Sequence, residues 1–206
     1  MEKQEDSKIV DFIKWIKKNR KPFFTTLISV IVIALIIAFI CFRIQIINSA
    51  ASDKLDIATK IFATGNVEQS LSILDDIENS YKNSPAAYRA MIMKASYFIN
   101  QKKYDEAESV LKTYIETAKP EIVKPIGYPL LIAIYDDNKN IEQAIATSKD
   151  FLSKYSDNYL APSVMENMAR LYELSGNSEE AKKVYKEIVD KFFGTIYANR
   201  ASEKLN

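Results

Sequence analysis

Residues 168–189 read MARLYELSGNSEEAKKVYKEIV, and this stretch recurs three more times in weaker form along the 206-residue chain. The copies lie 37 residues apart and share four positions: a residue that is small except at Ile132, a large apolar residue, a turn residue and a second small residue. In chain order these columns are Ala58, Ala95, Ile132, Ala169; Ile61, Phe98, Tyr135, Tyr172; Gly65, Lys102, Lys139, Gly176; and Ser70, Ala107, Ala144, Ala181. A period of this length indicates a solenoid in which each repeat buries its apolar face on the next.

Each repeat has the apolar spacing of two amphipathic helices. In the second repeat, Met91, Ala95 and Phe98 share one helical face, and Ala107 and Leu111 share another. A small residue on each helix allows the two backbones to cross closely. Residues that end the first helix stand at Gly65-Asn66, Asn138–Asn140 and Gly176-Asn177, and the second helix opens on Asp105-Glu106 or Glu179-Glu180. In the third repeat, prolines predict that the first helix starts near Pro125, with Pro129 in its first turn.

The N-terminal region contains one apolar run of lipid length. Lys21 and Arg43 enclose 21 uncharged residues, which as a helix span about 30 Å, the thickness of a hydrocarbon core. A single-pass anchor is favoured over a cleaved signal peptide, because the apolar and basic regions are both too long for one. A lipoprotein signal is disfavoured because the bulky Ile40 precedes Cys41. Either one helix continues to Thr64 or a flexible joint lies near residues 48–52.

Charge predicts the orientation of this anchor. Residues 1–43 carry eight Lys or Arg against four Asp or Glu, whereas residues 44–206 carry twenty against twenty-three. The positive-inside rule places the N-terminus in the cytoplasm and the repeats outside it, in the periplasm of a bacterium. Apolar residues at helical spacing in the tail predict a short helix in the membrane interface, with Trp15 as an anchor; the alternative is a solvated basic tail. These residues are Ile9, Phe12, Ile13 and Ile16.

Composition argues against catalysis, cofactors and nucleic acid. The chain has no His and a single Cys, so neither an internal disulfide nor a Cys/His zinc site can form. Its four Gly residues form no phosphate-binding loop, and its adjacent aspartates cannot face each other on a helix. The repeats are mildly acidic and lack the basic stripe that phosphates require. We expect no enzyme activity, no metal and no cofactor.

The stretch at residues 168–189 resembles the tetratricopeptide repeat, with Ala169, Tyr172, Gly176, Ala181 and Tyr185 at that pattern's positions. The family's early Trp is absent, and its usual 34-residue period is lengthened here by three residues between repeats. The resemblance implies an all-α chain: a transmembrane helix, then an α-solenoid of four helix pairs and a C-terminal capping helix. The expected boundaries are 1–21 (cytoplasmic basic tail), 22–42 (transmembrane helix), 43–50 (connector), 51–87, 88–124, 125–161 and 162–198 (repeats), and 199–206 (cap). In the closing helix expected within residues 192–206, Tyr197, Ala198, Ala201 and Leu205 should cover the last repeat, with Arg200, Glu203 and Lys204 outward.

A closer resemblance covers nearly the whole chain. A basic tail with Ile13-Lys14-Trp15, one membrane helix and four such repeats is similar to the YfgM-type ancillary subunits of the bacterial SecYEG translocon. That likeness implies a periplasmic scaffold that helps to pass exported proteins to a membrane-anchored chaperone of the PpiD type. The open alternatives are a scaffold for envelope assembly or cell division, and a regulator or enzyme with an unrecognised site.

In tetratricopeptide arrays the first helix of each pair lines the binding groove. Transferred to this chain, the resemblance predicts a groove that is apolar near the membrane and charged at the far end, suited to an extended or helical protein segment. The predicted groove residues are Phe62, Arg89, Ile92, Ser96, Ile99, Ala133, Asp136, Glu166, Arg170 and Glu173.

Overall fold

The helices expected from the 37-residue pattern form in the computed structural model, which describes Val10 and residues 14–205. Every regular element in that part of the chain is helical, which confirms the all-α prediction. The helices are α1 (Arg20–Ala63), α2 (Val67–Ser80), α3 (Pro85–Asn100), α4 (Tyr104–Thr117), α5 (Gly127–Asp137), α6 (Ile141–Tyr155), α7 (Ala161–Leu174), α8 (Ser178–Lys191) and α9 (Ile196–Leu205), with a 3-10 helix (Glu121–Ile126) before α5. The chain divides into two units between Ser49 and Ala50.

The first unit contains the candidate membrane span. The most apolar 18-residue window of α1 has a mean hydropathy of 3.0, and none of it is buried within the molecule. Side chains such as Ile33, Leu35 and Phe39 are exposed. A long, predominantly apolar helix whose side chains are not buried in the protein suits a hydrocarbon environment. Among the described residues, this helix alone is long and apolar enough to cross a membrane.

The tail before the span is described only in part. Residues 14–18 are helical, and the Trp15 ring meets Phe23 edge-on with the ring centroids 6.2 Å apart. Of the four residues on the apolar face of the predicted interfacial helix, Ile16 is half-buried, and Ile9, Phe12 and Ile13 lie outside the described residues. After the span, residues 43–50 are helical and belong to α1.

In the second unit, the small-residue columns mark the places where paired helices meet. Their members on both helices of each pair are almost inaccessible to solvent, at 0–2% exposure: Ala58, Ala95, Ile132, Ala169, Ser70, Ala107, Ala144 and Ala181. Ser70 departs from the Ala pattern, and its hydroxyl donates a 2.8 Å hydrogen bond to the Ala58 carbonyl. That bond satisfies a buried hydroxyl that would otherwise lack a hydrogen-bond partner. Sequence periodicity therefore located the helix crossings correctly.

The turn column has one backbone conformation in all four repeats. Gly65 and Gly176 have φ of +85° and +79°, and Lys102 and Lys139 have φ of +57° and +61°. This left-handed conformation costs glycine nothing and costs other residues about 1–2 kcal/mol. The third column of the repeat thus encodes a left-handed turn between paired helices, even where lysine occupies it.

The third repeat is entered differently from the others. The 3-10 helix replaces a simple loop, and α5 then starts at Gly127, two residues after the predicted Pro125. Pro129 lies in the first turn of α5, as predicted. A Cβ added at Gly127 would lie 2.8 Å from Tyr114 Cδ1 and 2.9 Å from Ile115 Cγ1. Gly127 therefore permits a close approach of α5 to α4.

The C-terminal helix α9 packs on α8 and α7 as the expected cap. Ala198 and Ala201 are buried against the preceding helices, and Tyr197 is half-buried. Leu205, predicted to cover the last repeat, is instead 39% exposed. That detail of the prediction is wrong, because α9 ends at this residue and the last three residues of the helix, Glu203, Lys204 and Leu205, are all exposed.

Candidate functional site

Side chains from successive first helices contact one another and form a continuous surface, here called the first-helix face. It comprises residues 50–63 of α1 together with α3, α5, α7 and α9. At its N-terminal end, the rings of Phe62 and Tyr97 meet edge-on with centroids 6.0 Å apart. One turn earlier, Thr59 Oγ1 lies 3.9 Å from Met93 Sδ. The contacts between neighbouring first helices at this end therefore involve aromatic rings, a thioether and a hydroxyl rather than ion pairs.

Ion pairs connect the first helices at the other end of the face. Asp136 on α5 pairs with Arg170 on α7. Glu166 on α7 receives two parallel hydrogen bonds from Arg200 on α9, each 2.6 Å long. Glu173 pairs with Lys204 at 3.4 Å. The pairs Asp136–Arg170 and Glu166–Arg200 are each 34 residues apart, which is one 37-residue repeat less about one helical turn.

These ion pairs neutralise three of the carboxylates at the charged end of the face. Three carboxylates meet three cations, and each partner is at least partly exposed. Exposed pairs of this kind contribute about 0–1 kcal/mol each, and the two-pronged Arg–carboxylate pair has the better geometry. Beneath them, burial and the neighbouring Glu173 raise the pKa of Tyr185 to about 12. The cluster can hold repeats 3 and 4 and the cap in register.

The ten predicted groove residues fall into three groups. Phe62, Ile92 and Ile99 are half-buried apolar side chains, and Ala133 is a small one. Ser96 donates its hydroxyl to the Ile92 carbonyl at 2.8 Å, so its polar atom is satisfied within α3. Four of the charged members take part in the ion pairs, namely Asp136, Glu166, Arg170 and Glu173. The fifth, Arg89 on α3, is exposed.

The structure adds residues that sequence reasoning did not place on this face. Tyr97 packs against Phe62, and Arg200 and Lys204 of the cap supply cations to Glu166 and Glu173. Arg200 and Lys204 are exposed, as predicted, but they reach back to α7. The sequence does contain a signal for these contacts, because a carboxylate stands 34 residues before Arg200 and another stands 34 residues before Arg170. This separation is shorter than the 37-residue repeat.

A narrow apolar cleft opens where α3 meets the segment between α4 and α5. Its volume is about 310 Å³, and its lining includes Tyr88, Ile92, Tyr114 and Val123, with Arg89 among the other lining residues. Two predicted groove residues, Arg89 and Ile92, are thereby brought together in one cleft. Within the described residues, no group of three or more Asp, Glu, Cys or His side chains is arranged to hold a metal ion.

The pattern of paired helices agrees with a match to a known family. Residues 14–201 match the family described as tetratricopeptide repeat-like domain. The chain belongs to this tetratricopeptide repeat-like family. The match extends from the tail before the membrane span into the capping helix, so it covers both units rather than the repeats alone.

One relative bears on function. The tetratricopeptide repeat-like chain is 26% identical over 118 residues to a protein of Neisseria gonorrhoeae (strain ATCC 700825 / FA 1090) named ancillary SecYEG translocon subunit. The aligned region covers 57% of this chain, and the chain spans only 54% of that relative's length. This similarity supports the resemblance to ancillary translocon subunits that the sequence had indicated.

Solved structures agree on the fold of the repeats. A tetratricopeptide repeat protein from Parabacteroides merdae ATCC 43184 aligns with a TM-score of 0.60 at 13% identity, covering 76% of this chain and 59% of that one. MamA from Desulfovibrio magneticus RS-1 aligns with a TM-score of 0.52 at 13% identity, covering 68% and 74%. At such identities the likeness shows the solenoid fold alone. A tetratricopeptide-like scaffold and a translocon-associated relative both point to a non-catalytic role.

Proposed function

We propose that this protein is an ancillary subunit of the SecYEG translocon, anchored in the bacterial cytoplasmic membrane, whose repeats help to pass exported proteins to chaperones. The observation that carries the proposal is the similarity over 118 residues to the ancillary SecYEG translocon subunit, in a chain with a candidate membrane helix and a protein-binding fold. Anchoring supports such a role physically, since it raises the effective concentration of the repeats near other membrane proteins.

The proposed topology has the N-terminus in the cytoplasm and the repeats in the periplasm. Five cations crowd the N-terminal flank of the span, Lys14, Lys17, Lys18, Arg20 and Lys21. Cations are sparse on the other flank, where Arg43, Lys54 and Lys60 follow. Because cytoplasmic flanks are enriched in Lys and Arg, this asymmetry favours export of the repeats.

The proposed partner-binding surface is the first-helix face, and its apolar N-terminal end is the principal contact. Apolar side chains such as Phe62, Ile92 and Ile99 are half-buried, so each retains surface that a partner can cover. At the charged end, Asp136, Arg170 and Glu166 already satisfy one another or the cap. A partner segment that lies along the face therefore gains most from apolar anchors near α1 and α3.

Crosslinking in cells tests the pathway. The tagged full-length protein is crosslinked, purified in mild detergent and analysed by mass spectrometry. We expect translocon subunits and a membrane-anchored periplasmic chaperone among the main products. Envelope-assembly or division proteins in their place would leave a scaffold but overturn the assigned pathway.

Substitution on the face tests the surface. Ile92→Asp and Ile99→Asp should each abolish capture of those partners, because a charge replaces an apolar anchor. Phe193→Asp introduces the same charge at an 88% exposed position in the turn before α9 and should leave capture intact. Circular dichroism verifies that each variant is folded. If Ile92→Asp does not fold, Ile92→Ser serves as the milder replacement. Undiminished capture by folded Ile92 and Ile99 variants would refute this surface.

A further inference from the structure

The apolar cleft beside α3 is built by the irregular entry to the third repeat. The wall on one side consists of Tyr88 and Ile92 from α3, and the other consists of Tyr114 at the end of α4 and Val123 in the 3-10 helix. Tyr88 and Tyr114 meet edge-on with centroids 6.3 Å apart. The cleft depends on the 3-10 helix, which is the element that distinguishes this repeat from its neighbours.

The polar atoms of the cleft walls are directed away from any ligand. The Tyr88 hydroxyl donates to the Thr117 carbonyl at 3.1 Å, and the Tyr114 hydroxyl donates to the Val123 carbonyl at 2.8 Å. With both hydroxyls satisfied by backbone acceptors, the rings offer hydrocarbon to whatever enters. Burial of an apolar side chain in a cleft of this composition is energetically favourable.

Two cations at the cleft have no partner of their own. Arg89 and Lys119 both line it and are exposed. Within the described part of the chain, neither forms an ion pair or a side-chain hydrogen bond. Arg170 and Arg200 on the same face are, by contrast, each paired with a carboxylate.

The nearest carboxylate in the sequence, that of Glu121, does not neutralise this pair of cations. Its Oε2 lies 3.0 Å from Lys124 Nζ, and its Oε1 accepts a 2.7 Å hydrogen bond from the Tyr155 hydroxyl. Both bonds lower the pKa of the Glu121 carboxyl, and the hydrogen bond from Tyr155 has the larger effect. Glu121 is therefore ionised, and its oxygens already contact Tyr155 and Lys124. The cleft therefore combines an apolar interior with uncompensated positive charge at its edge.

We infer that this cleft binds a protein segment in which a bulky apolar side chain is flanked by acidic residues. The inference rests on the proposed function, since it takes the first-helix face as the surface that meets partners. The volume lies at the lower end of the roughly 300–1,000 Å³ usual for ligand pockets, so it suits one or two side chains rather than a folded element. The apolar side chain fills the cleft, and the flanking carboxylates pair with Arg89 and Lys119.

A peptide series tests the inference with the full-length protein in nanodiscs. The probe is a fluorescein-labelled, C-terminally amidated Gly/Ser peptide with one Phe flanked by two Glu on each side. Fluorescence anisotropy should show saturable binding. Replacing the Phe by Ala should weaken binding about tenfold or more, from the apolar area lost. Replacing the Glu residues by Lys should also weaken it.

Charge reversal in the protein supplies the matched test. Arg89→Glu with Lys119→Glu should weaken the Glu-flanked peptide about tenfold in total, since each exposed pair contributes about threefold. The same double variant should bind the Lys-flanked peptide better than the unmodified protein does. Lys182→Glu with Lys186→Glu on α8 makes the same change in net charge away from the cleft and should leave both affinities unchanged.

Three results would overturn the inference: no saturable binding of the Glu-flanked peptide up to about 1 mM, equal affinity for the Glu-flanked and Lys-flanked peptides, or equal behaviour of the two double variants. These outcomes are separable from the pathway. Translocon crosslinks that persist when peptide discrimination fails would leave the proposed function standing. Peptide discrimination without translocon crosslinks would leave the cleft assignment standing and remove the pathway.

Discussion

Substitution of Gly127 by Ala separates repeat-pattern reasoning from tertiary packing. By the 37-residue register, Gly127 occupies the column of Asp53, Ala90 and Val164, so the pattern indicates that a side chain such as that of Ala is accepted there. Ala is also the better helix former, by up to about 1 kcal/mol. The structure predicts the opposite result, because the new Cβ would lie 2.8 Å from Tyr114 Cδ1 and 2.9 Å from Ile115 Cγ1. Carbon atoms prefer separations of about 3.5–4.0 Å.

The neighbours of Gly127 have little room to yield. Tyr114 is 2% exposed, its hydroxyl is bonded to the Val123 carbonyl, and its ring meets Tyr88. Overpacking of such a site typically costs about 1–3 kcal/mol, which exceeds the gain in helix propensity. We expect a net loss of about 1–2 kcal/mol, which for a domain of this size lowers Tm by roughly 2–8 °C.

Thermal unfolding of the full-length protein in mild detergent, followed by far-UV circular dichroism, measures this effect. A double-mutant cycle with Ile115→Ala supplies the control, since that truncation removes Cγ1 and with it one of the two close contacts. Gly127→Ala should then cost less in the Ile115→Ala background than in the unmodified protein. A Tm for Gly127→Ala that equals or exceeds that of the unmodified protein would refute the packing argument.

Two further changes test the turns and a half-buried carboxylate. Lys139→Gly should raise Tm, because it relieves a left-handed backbone at φ +61° that costs lysine about 1 kcal/mol. The control Lys103→Gly, at a position with φ −88°, should lower Tm. Equal effects of the two substitutions on Tm would contradict the strain assigned to Lys139. Burial raises the pKa of Glu78 above its usual 4.5 despite the Lys94 ammonium 3.0 Å away. The folded state therefore binds a proton at Glu78 more readily than the unfolded state does, and the stability of the fold falls as pH rises through the raised pKa. In urea unfolding, Glu78→Gln should therefore gain stability relative to the unmodified protein between pH 4 and pH 7, and a relative loss would count against it.

The electrostatics around Glu78 have a simple structural cause. Lys94 is shared by two carboxylates, at 2.6 Å from Asp75 and 3.0 Å from Glu78. Burial lowers the pKa of Lys94, but the hydrogen bonds to both carboxylates outweigh it and the pKa rises. Glu78 has only this one cationic partner, and its Oε1 is buried without a hydrogen bond. Burial therefore dominates at Glu78 and not at Lys94.

The sequence by itself determined the helices, the crossings and the candidate anchor, because these features depend on residues close together in the chain. Helical periodicity, small residues at crossings such as Ala95 and Ala107, and the apolar run between Lys21 and Arg43 can all be recognised locally. The left-handed turn at Lys102 was indicated only by its alignment with glycines.

Only the tertiary structure decided which side chains of different repeats meet. The contact between Glu166 and Arg200 depends on an offset of about one turn between neighbouring first helices, and the 37-residue period of the sequence does not give that offset. The cleft at Tyr114 likewise depends on how the 3-10 helix directs α5 against α4. Crossing angles and helix offsets arise from the packing of whole surfaces, so residues far apart in sequence acquire their partners only when the solenoid is assembled.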